Sequence, residues 1–407
     1  MYKILLHTFI SALLLSASYS QTRVITGPER FLNEYVDSVQ YKNIGIVTNH
    51  SAILPNGVHL IDSLLSINKV KIKALFGPEH GLSGNAADGK KISDGFYKNT
   101  SIPVYSLYGS NIKPNAEMLD DIEIMIFDIQ DIGARFYTFI STLFYTIEAC
   151  AENEIKLIVL DRPNPIGGLY VDGPVLDNNL KSFVGIIDIP ITHGMTIGEL
   201  ALLMNDKYFS KRAKLKIIPM LNWKRNMYFD ECGLPWIKPS PNIINVEAEL
   251  VYPGVCLIEG TNISEGRGTH FPFLQIGAPF IKSMELASEL KKLKIKGVII
   301  DTISFTPTSI PGMSDKPKYF GQKCFGVKFK ITNREEFKAV KFGIAVINTI
   351  SKLYPDKLEF KNSINRLYGK KTLQNDLLNA KSITSIYKSW DKELQEFILL
   401  RKNYLIY

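Results

Sequence analysis

The chain has 407 residues, 45% of them hydrophobic, with four cysteines and a formal net charge of +8. That is enough apolar material for one large core or two ordinary ones, with two favoured. Cys150, Cys232, Cys256 and Cys324 are too sparse for a disulfide scaffold and too scattered for a zinc knuckle, which favours buried free thiols over a bridge. The positive charge is spread as single lysines, not as basic runs interleaved with aromatics, which argues against nucleic acid and leaves solubility or attraction to an anionic polymer.

The amino terminus, MYKILLHTFISALLLSASYSQT, sets one lysine before an apolar stretch ending in small residues, the pattern of a secretory signal peptide over 1–20. Its apolar core is too short for a membrane span and no later stretch supplies one, so a periplasmic or secreted product is expected. Short apolar, β-branched runs follow: NIGIVT (43–48), KIKALF (71–76), IPVYSL (102–107), IEIMIFD (122–128) and IKLIVLD (155–161). Near-continuous hydrophobicity predicts strands buried on both faces. The segment FYTFISTLFYTIEACAEN (136–153) has the length and pattern of a crossover helix. This alternation predicts an α/β fold, a Rossmann-like, doubly wound parallel sheet over 21–245. Residues 219–260, rich in Pro, Gly, Asn and aromatics, read as a long ordered loop or interdomain connection. KGVIIDTISFTP (296–307), CFGVKFKITN (324–333) and the amphipathic FKAVKFGIAVINTISKLY (337–354) then predict a smaller α+β domain over 246–407.

Open parallel sheets bind ligands beyond the carboxyl ends of their strands, and polar side chains collect there. Asn49 and His50 follow the first run, and GPEHG (77–81) the second. DIQDIGARFYT (128–138), after the fourth, supplies Asp128, Asp131, Arg135 and Tyr137, and Arg162 follows the fifth. Glu79 is the sharpest candidate, because Pro78 stiffens its backbone while Gly77 and Gly81 let the chain turn tightly beside a ligand. A carboxyl held in a rigid, partly buried turn suits a general acid; the plainer alternative is a turn residue bonding nearby amides. Arg135 is a candidate partner for a substrate carboxylate, and Asp128 and Asp131 for orienting other groups. An aspartate can equally cap a helix, and a tyrosine beside an apolar run such as Tyr137 can be core. EGTNISEGRGTHFPF (259–273) sets Glu265 and Arg267 among glycines, as in a loop closing over an anionic or polyhydroxylated ligand. Glu259 and Glu265 are rival catalytic carboxyls.

GNAADGKK (84–91) matches GxxxxGK but has Lys91 where a phosphate loop needs Ser or Thr for magnesium. TIGE (196–199) has the capping-box form, which makes Glu199 structural. His50, His80, His193 and His270 lack HxH or HExxH spacing, and neither metal nor cofactor is expected.

Taken in order, GIVTNHSA, LFGPEHG, PVYSLYG, FDIQDIGARFYT, LDRPNPIGG, HGMTIGELA, GLPWIKPSPN and EGTNISEGRGT resemble the exo-β-N-acetylmuramidase family, from about residue 43 to 330. The resemblance implies a glycoside hydrolase that releases terminal β-1,4-linked N-acetylmuramic acid from the non-reducing end of peptidoglycan fragments, muropeptides or disaccharides. It also implies a site in the cleft between a Rossmann-like domain and a smaller one, with Glu79 leading and Tyr137 beside it. The lactyl carboxylate of that sugar calls for an arginine such as Arg135, Arg162 or Arg267, and its acetamido group offers an internal nucleophile. Asn49, His50, His80, Asp128, Asp131, His193 and Glu265 would complete the binding surface. Two stretches depart from the family pattern: LSGNAADGKK (82–91) after GPEHG, and Leu274 where a glutamate is common. Other readings of the same cleft are a non-catalytic muropeptide or sugar-binding protein, and a metal-dependent deacetylase or amidase.

Overall fold

The protein is described by a computed structural model covering residues 23–84 and 94–407. The leader expected over 1–20 and residues 85–91 of the GNAADGKK stretch lie outside these described residues. Seven strands form the larger sheet: β1 (Asn43–Thr48), β2 (Lys71–Gly77), β3 (Gly95–Phe96), β4 (Pro103–Ser106), β5 (Ile124–Asp128), β6 (Lys156–Leu160) and β7 (Lys214–Ile218). Their order is β3-β4-β2-β1-β5-β6-β7, and all neighbours pair in parallel except β3 with β4. The chain winds outward from β1 through β2 to β4, then returns to the other side of β1 and winds out through β5 to β7. That reversal opens a crevice at the carboxyl ends of the central strands.

Why these runs become strands is visible in their two-sided burial. Val47, Phe76, Met125, Phe127, Leu157 and Val159 face one apolar cluster, while Ile44, Ile46, Leu75, Ile124, Ile126, Ile158 and Leu160 face another. Successive side chains of a strand point to opposite faces, so both faces need apolar cover and the sequence shows no alternation. The helix Phe139–Glu152 covers the first face together with the helix Ile197–Lys207. The latter starts with the capping box expected at Thr196 and Glu199. Two strands of this larger sheet fall outside the predicted runs. β7 is a partly exposed edge strand whose KLKII alternates lysine with apolar residues, and β3 is only two exposed residues long.

The smaller sheet is antiparallel, β8 (Gln275–Ala278), β10 (Cys324–Ile331) and β9 (Val298–Phe305) in that order. The helices Ser283–Lys292 and Ala339–Leu353 pack on it. One apolar cluster runs from Phe127 and Phe139 through Tyr252 and Phe273 to Val327, Phe342 and Trp390, so the two sheets are joined by packed side chains.

Helix Val246–Val255 and helix Ala339–Leu353 cross with their backbones close together. A Cβ on Gly254 would lie 1.8 Å from the Ala339 carbonyl oxygen, and one on Gly343 would lie 2.1 Å from that of Gly254. The carboxyl-terminal residues also grip the first domain: Arg401 donates to the carbonyls of Gly168, His193 and Gly194, and the Tyr407 hydroxyl donates to Asp161. All four cysteines are buried free thiols. No described helix is long and apolar enough to cross a membrane.

Candidate active site

The GPEHG segment leaves the carboxyl end of β2 as a closed turn, with the Gly81 N–H donating to the Pro78 carbonyl at 2.9 Å. His80, buried within it, has φ +69°, a left-handed conformation that costs a residue with a Cβ on the order of 1 kcal/mol. Gly77 admits the close return of the chain, since a Cβ there would meet the Leu82 nitrogen at 2.9 Å. The turn holds Glu79 half-buried and facing the Thr138 hydroxyl, which donates to its Oε2 at 2.8 Å. Thr138 stands at the start of helix Phe139–Glu152, yet its side chain makes no capping bond to that helix. The turn after β2 and the helix after β5 are thereby joined at the carboxylate.

Glu79, His80, Tyr137 and Thr138 line one side of a cleft of about 490 Å³, and the smaller domain lines the other. Its aromatic wall is a chain of edge-on contacts: Tyr252 packs against Phe136 at 5.5 Å, Tyr137 at 6.1 Å and Phe273 at 4.8 Å between ring centroids. Burial, with Cys256 and Glu259 nearby, pushes the Tyr252 phenol well up, so it stays neutral. Beside the rings runs a chain of opposite charges. Arg267 bonds Glu259 at 2.8 Å and approaches Glu265 at 3.4 Å, with its guanidinium 5.0 Å from the centre of the Phe273 ring. Lys318 bonds Glu265 at 2.9 Å and the carbonyls of Ile258, Glu259 and Ile263. Burial alone would raise the Glu265 carboxyl, but Lys318 and Arg267 outweigh it and hold the group below its ordinary range, ionised.

Matches to known families cover this whole arrangement. The model described as exo-β-N-acetylmuramidase NamZ, N-terminal, matches residues 44–247, and its C-terminal counterpart matches 250–407. The chain belongs to the exo-β-N-acetylmuramidase family. Among its relatives is the peptidoglycan β-N-acetylmuramidase NamZ of Bacillus subtilis strain 168, 46% identical over 387 residues, which are 95% of this chain and 92% of that one. Two crystal structures of DUF1343 family proteins from Bacteroides fragilis share the fold. One has a TM-score of 0.86 at 32% identity, covering 95% of this chain and 99% of its own, and the other 0.75 at 34%, covering 94% and 99%.

Of the residues singled out in the sequence, this muramidase-family cleft gathers Glu79, His80, Tyr137, Glu259, Glu265 and Arg267. His50 lines an adjoining cavity of about 440 Å³, its Nε2 2.6 Å from the Lys238 carbonyl oxygen. Burial is the main reason that its imidazole is shifted down. The remaining six serve the scaffold around the cleft and do not line it. Asn49 accepts the N–H and hydroxyl of Ser51 and shapes the turn after β1. Asp128 and Arg162 are buried and form a two-point ion pair at 2.6 and 3.1 Å across β5 and β6.

Arg135, expected to meet a substrate carboxylate, instead donates to the carbonyls of Pro174, Ile189 and Leu367 and is 1% exposed. Burial pushes it down to about 9, so it remains cationic at neutral pH. His193 and Asp131 lie 3.8 Å apart and are both buried. Burial, with Arg401, Arg135 and Arg225 around it, takes the imidazole down to about 3, and burial takes the Asp131 carboxyl up to about 7. Between about pH 3 and pH 7 the two face each other as neutral groups. Among the described residues no group of three or more His, Cys, Asp or Glu side chains is placed to hold a metal ion.

Thr138, Ser240, Tyr252, Lys316 and Lys318 line the cleft without having been singled out. Thr138 adjoins Tyr137 in the same motif, and Ser240 lies in the stretch 219–260 read as a long ordered loop or interdomain connection. The lysines sit in PGMSDKPK (311–318), a Pro- and Gly-rich connection between β9 and β10 whose composition alone marks it as a loop.

Proposed function

We propose that the cleft hydrolyses the terminal β-1,4-linked N-acetylmuramic acid from the non-reducing end of peptidoglycan fragments, with Glu79 as general acid and Tyr137 beside it. The observation that carries this reading is the joining of Glu79 to the Thr138 hydroxyl at the mouth of a cleft whose opposite wall holds ionised Glu265. Cleaving a glycosidic bond requires a proton on the departing oxygen and stabilisation of the positive charge that develops at the sugar's C1. Glu265, held ionised by Lys318 and Arg267, is a poor proton donor, and Glu259 is paired with Arg267. They are placed to favour a cationic transition state through their charge. Glu79, held in the turn at the end of β2 with the Thr138 hydroxyl donating to it, is the carboxyl assigned to give the proton. The attacking group at C1 is water or the sugar's own acetamido oxygen, and the rings of Phe136, Tyr137, Tyr252 and Phe273 offer apolar cover to the sugar faces.

The leader pattern over 1–20 supports placing this activity in the periplasm or outside the cell, in cell-wall turnover. Amino-terminal sequencing of the exported protein checks that part, with a start close to residue 21 expected; a retained leader contradicts it. The activity itself is checked by incubating the protein with a disaccharide carrying N-acetylmuramic acid at its non-reducing end. Free N-acetylmuramic acid is the expected product. Binding without release would make the protein a sugar-binding module instead.

A further inference from the structure

The lactyl carboxylate that distinguishes N-acetylmuramic acid from N-acetylglucosamine needs a cation, and the three arginines expected to supply it are engaged elsewhere. Arg135 and Arg162 lie outside the cleft, buried on carbonyls and on Asp128. Arg267 sits between Glu259 and Glu265. Lys318, also in the cleft, is bound to Glu265 and three carbonyls. Releasing either from its carboxylates would leave a half-buried charge unbalanced. Lys316 differs: it is exposed, it lines the same cleft, and among the described residues it has no ion pair, hydrogen bond or ring contact.

Its backbone is nonetheless fixed. On one side, Ile310 and Ser314 exchange N–H to carbonyl bonds at 2.9 and 3.0 Å, and the Asn242 amide donates to the Met313 carbonyl at 2.9 Å. On the other, Pro317 packs where a Cβ on Gly268 would lie 2.4 Å from its ring, and Lys318 is anchored as above. The loop therefore carries one lysine as a bolt and, two residues before it, a second whose ammonium stays hydrated at the rim. A rim cation pairs with a carboxylate that projects from the sugar without the cost of burying either charge.

We infer that Lys316 is the specificity-determining residue that pairs with the lactyl carboxylate of the terminal sugar, an assignment that rests on the muramidase reading above. It reads the substrate and takes no part in moving the proton. The test compares a chromogenic β-N-acetylmuramide with its methyl ester, the same shape without the charge, on wild type, Lys316→Gln and Lys316→Arg. The wild type is expected to favour the acid, and Lys316→Gln to lose about five- to tenfold in kcat/KM on the acid through KM. Lys316→Gln should change less than about twofold on the ester, and Lys316→Arg should keep the preference. Added salt should erode the preference of the wild type and not the activity of Lys316→Gln. A wild type that handles acid and ester alike, or a Lys316→Gln that keeps the wild-type ratio, overturns the assignment. A wild type that hydrolyses neither compound overturns the muramidase reading instead.

Discussion

Threonine at the start of a helix ordinarily turns its hydroxyl onto the helix's own N–H groups, whereas Thr138 gives its hydroxyl to Glu79. On the proposed mechanism this use makes Thr138 a positioning residue for Glu79. Thr138→Val should lower kcat about tenfold with little change in KM and displace the alkaline limb of the pH–rate profile, where a general acid loses its proton, while Thr138→Ser restores both. An unchanged profile would assign Thr138 to packing alone. Arg135 makes the opposite point, since its three carbonyl bonds tie two loop segments to the helix Ser363–Tyr368 and its side chain does not line the cleft. Arg135→Met should cost about 3 kcal/mol or more, seen as a lower urea midpoint, because buried carbonyls are left unmatched. The preference between muramyl acid and ester should survive. These two residues show what a sequence discloses. GPEHG and GARFYT announced reactive groups at strand ends through their glycines, proline and position, but an arginine's letter does not say which acceptors surround it. The partners of Arg135, Arg162 and Arg267 come from segments up to 232 residues away.

At the scale of elements, the strands of the large sheet were legible because burial on both faces leaves a continuous apolar run. β7 was not legible, because an edge strand needs apolar cover on fewer sides and its lysines break the run. The helix crossing at Gly254 and Gly343 was invisible for another reason. A glycine inside a helix reads as a weak position, and only the fold shows that two backbones touch there. That contact sets the place of Tyr252, one turn before Cys256 on the same segment, and hence the aromatic wall of the cleft. Gly343→Ala should destabilise the protein by about 3 kcal/mol or more, since the new methyl meets backbone atoms that cannot swing aside. Differential scanning calorimetry measures this, and a variant as stable as wild type would contradict the close crossing.

For the whole molecule, buried titratable groups tie stability to pH. Asp131 keeps its proton in the folded state up to about pH 7, while the unfolded chain releases it near 3.8. The folded form holds more protons between those values, so this group's contribution is present below 3.8 and is lost as pH rises through about 7. His193 acts in the opposite sense. Its folded value is about 3 against 6.5 unfolded, so the unfolded chain gains protons, and stability falls, as pH drops from 6.5 toward 3. Asp131→Asn removes only the first slope. Measured by urea unfolding, the stability of the variant relative to wild type should rise by on the order of 2 to 3 kcal/mol between pH 5 and 8. A difference that stays flat would contradict a buried, protonated Asp131.

The central claim is that Glu79 delivers the proton to the departing sugar oxygen in the cleft shared by the two sheets. Its most direct test is kcat/KM for wild type and Glu79→Gln on two substrates, a disaccharide with a sugar leaving group and a nitrophenyl β-N-acetylmuramide. A sugar alkoxide leaves only when protonated, so the disaccharide should lose about 10² to 10⁴-fold. The nitrophenyl compound, whose phenolate departs unaided, should lose far less. Near-normal hydrolysis of the disaccharide by Glu79→Gln would contradict the assignment of Glu79 as the acid.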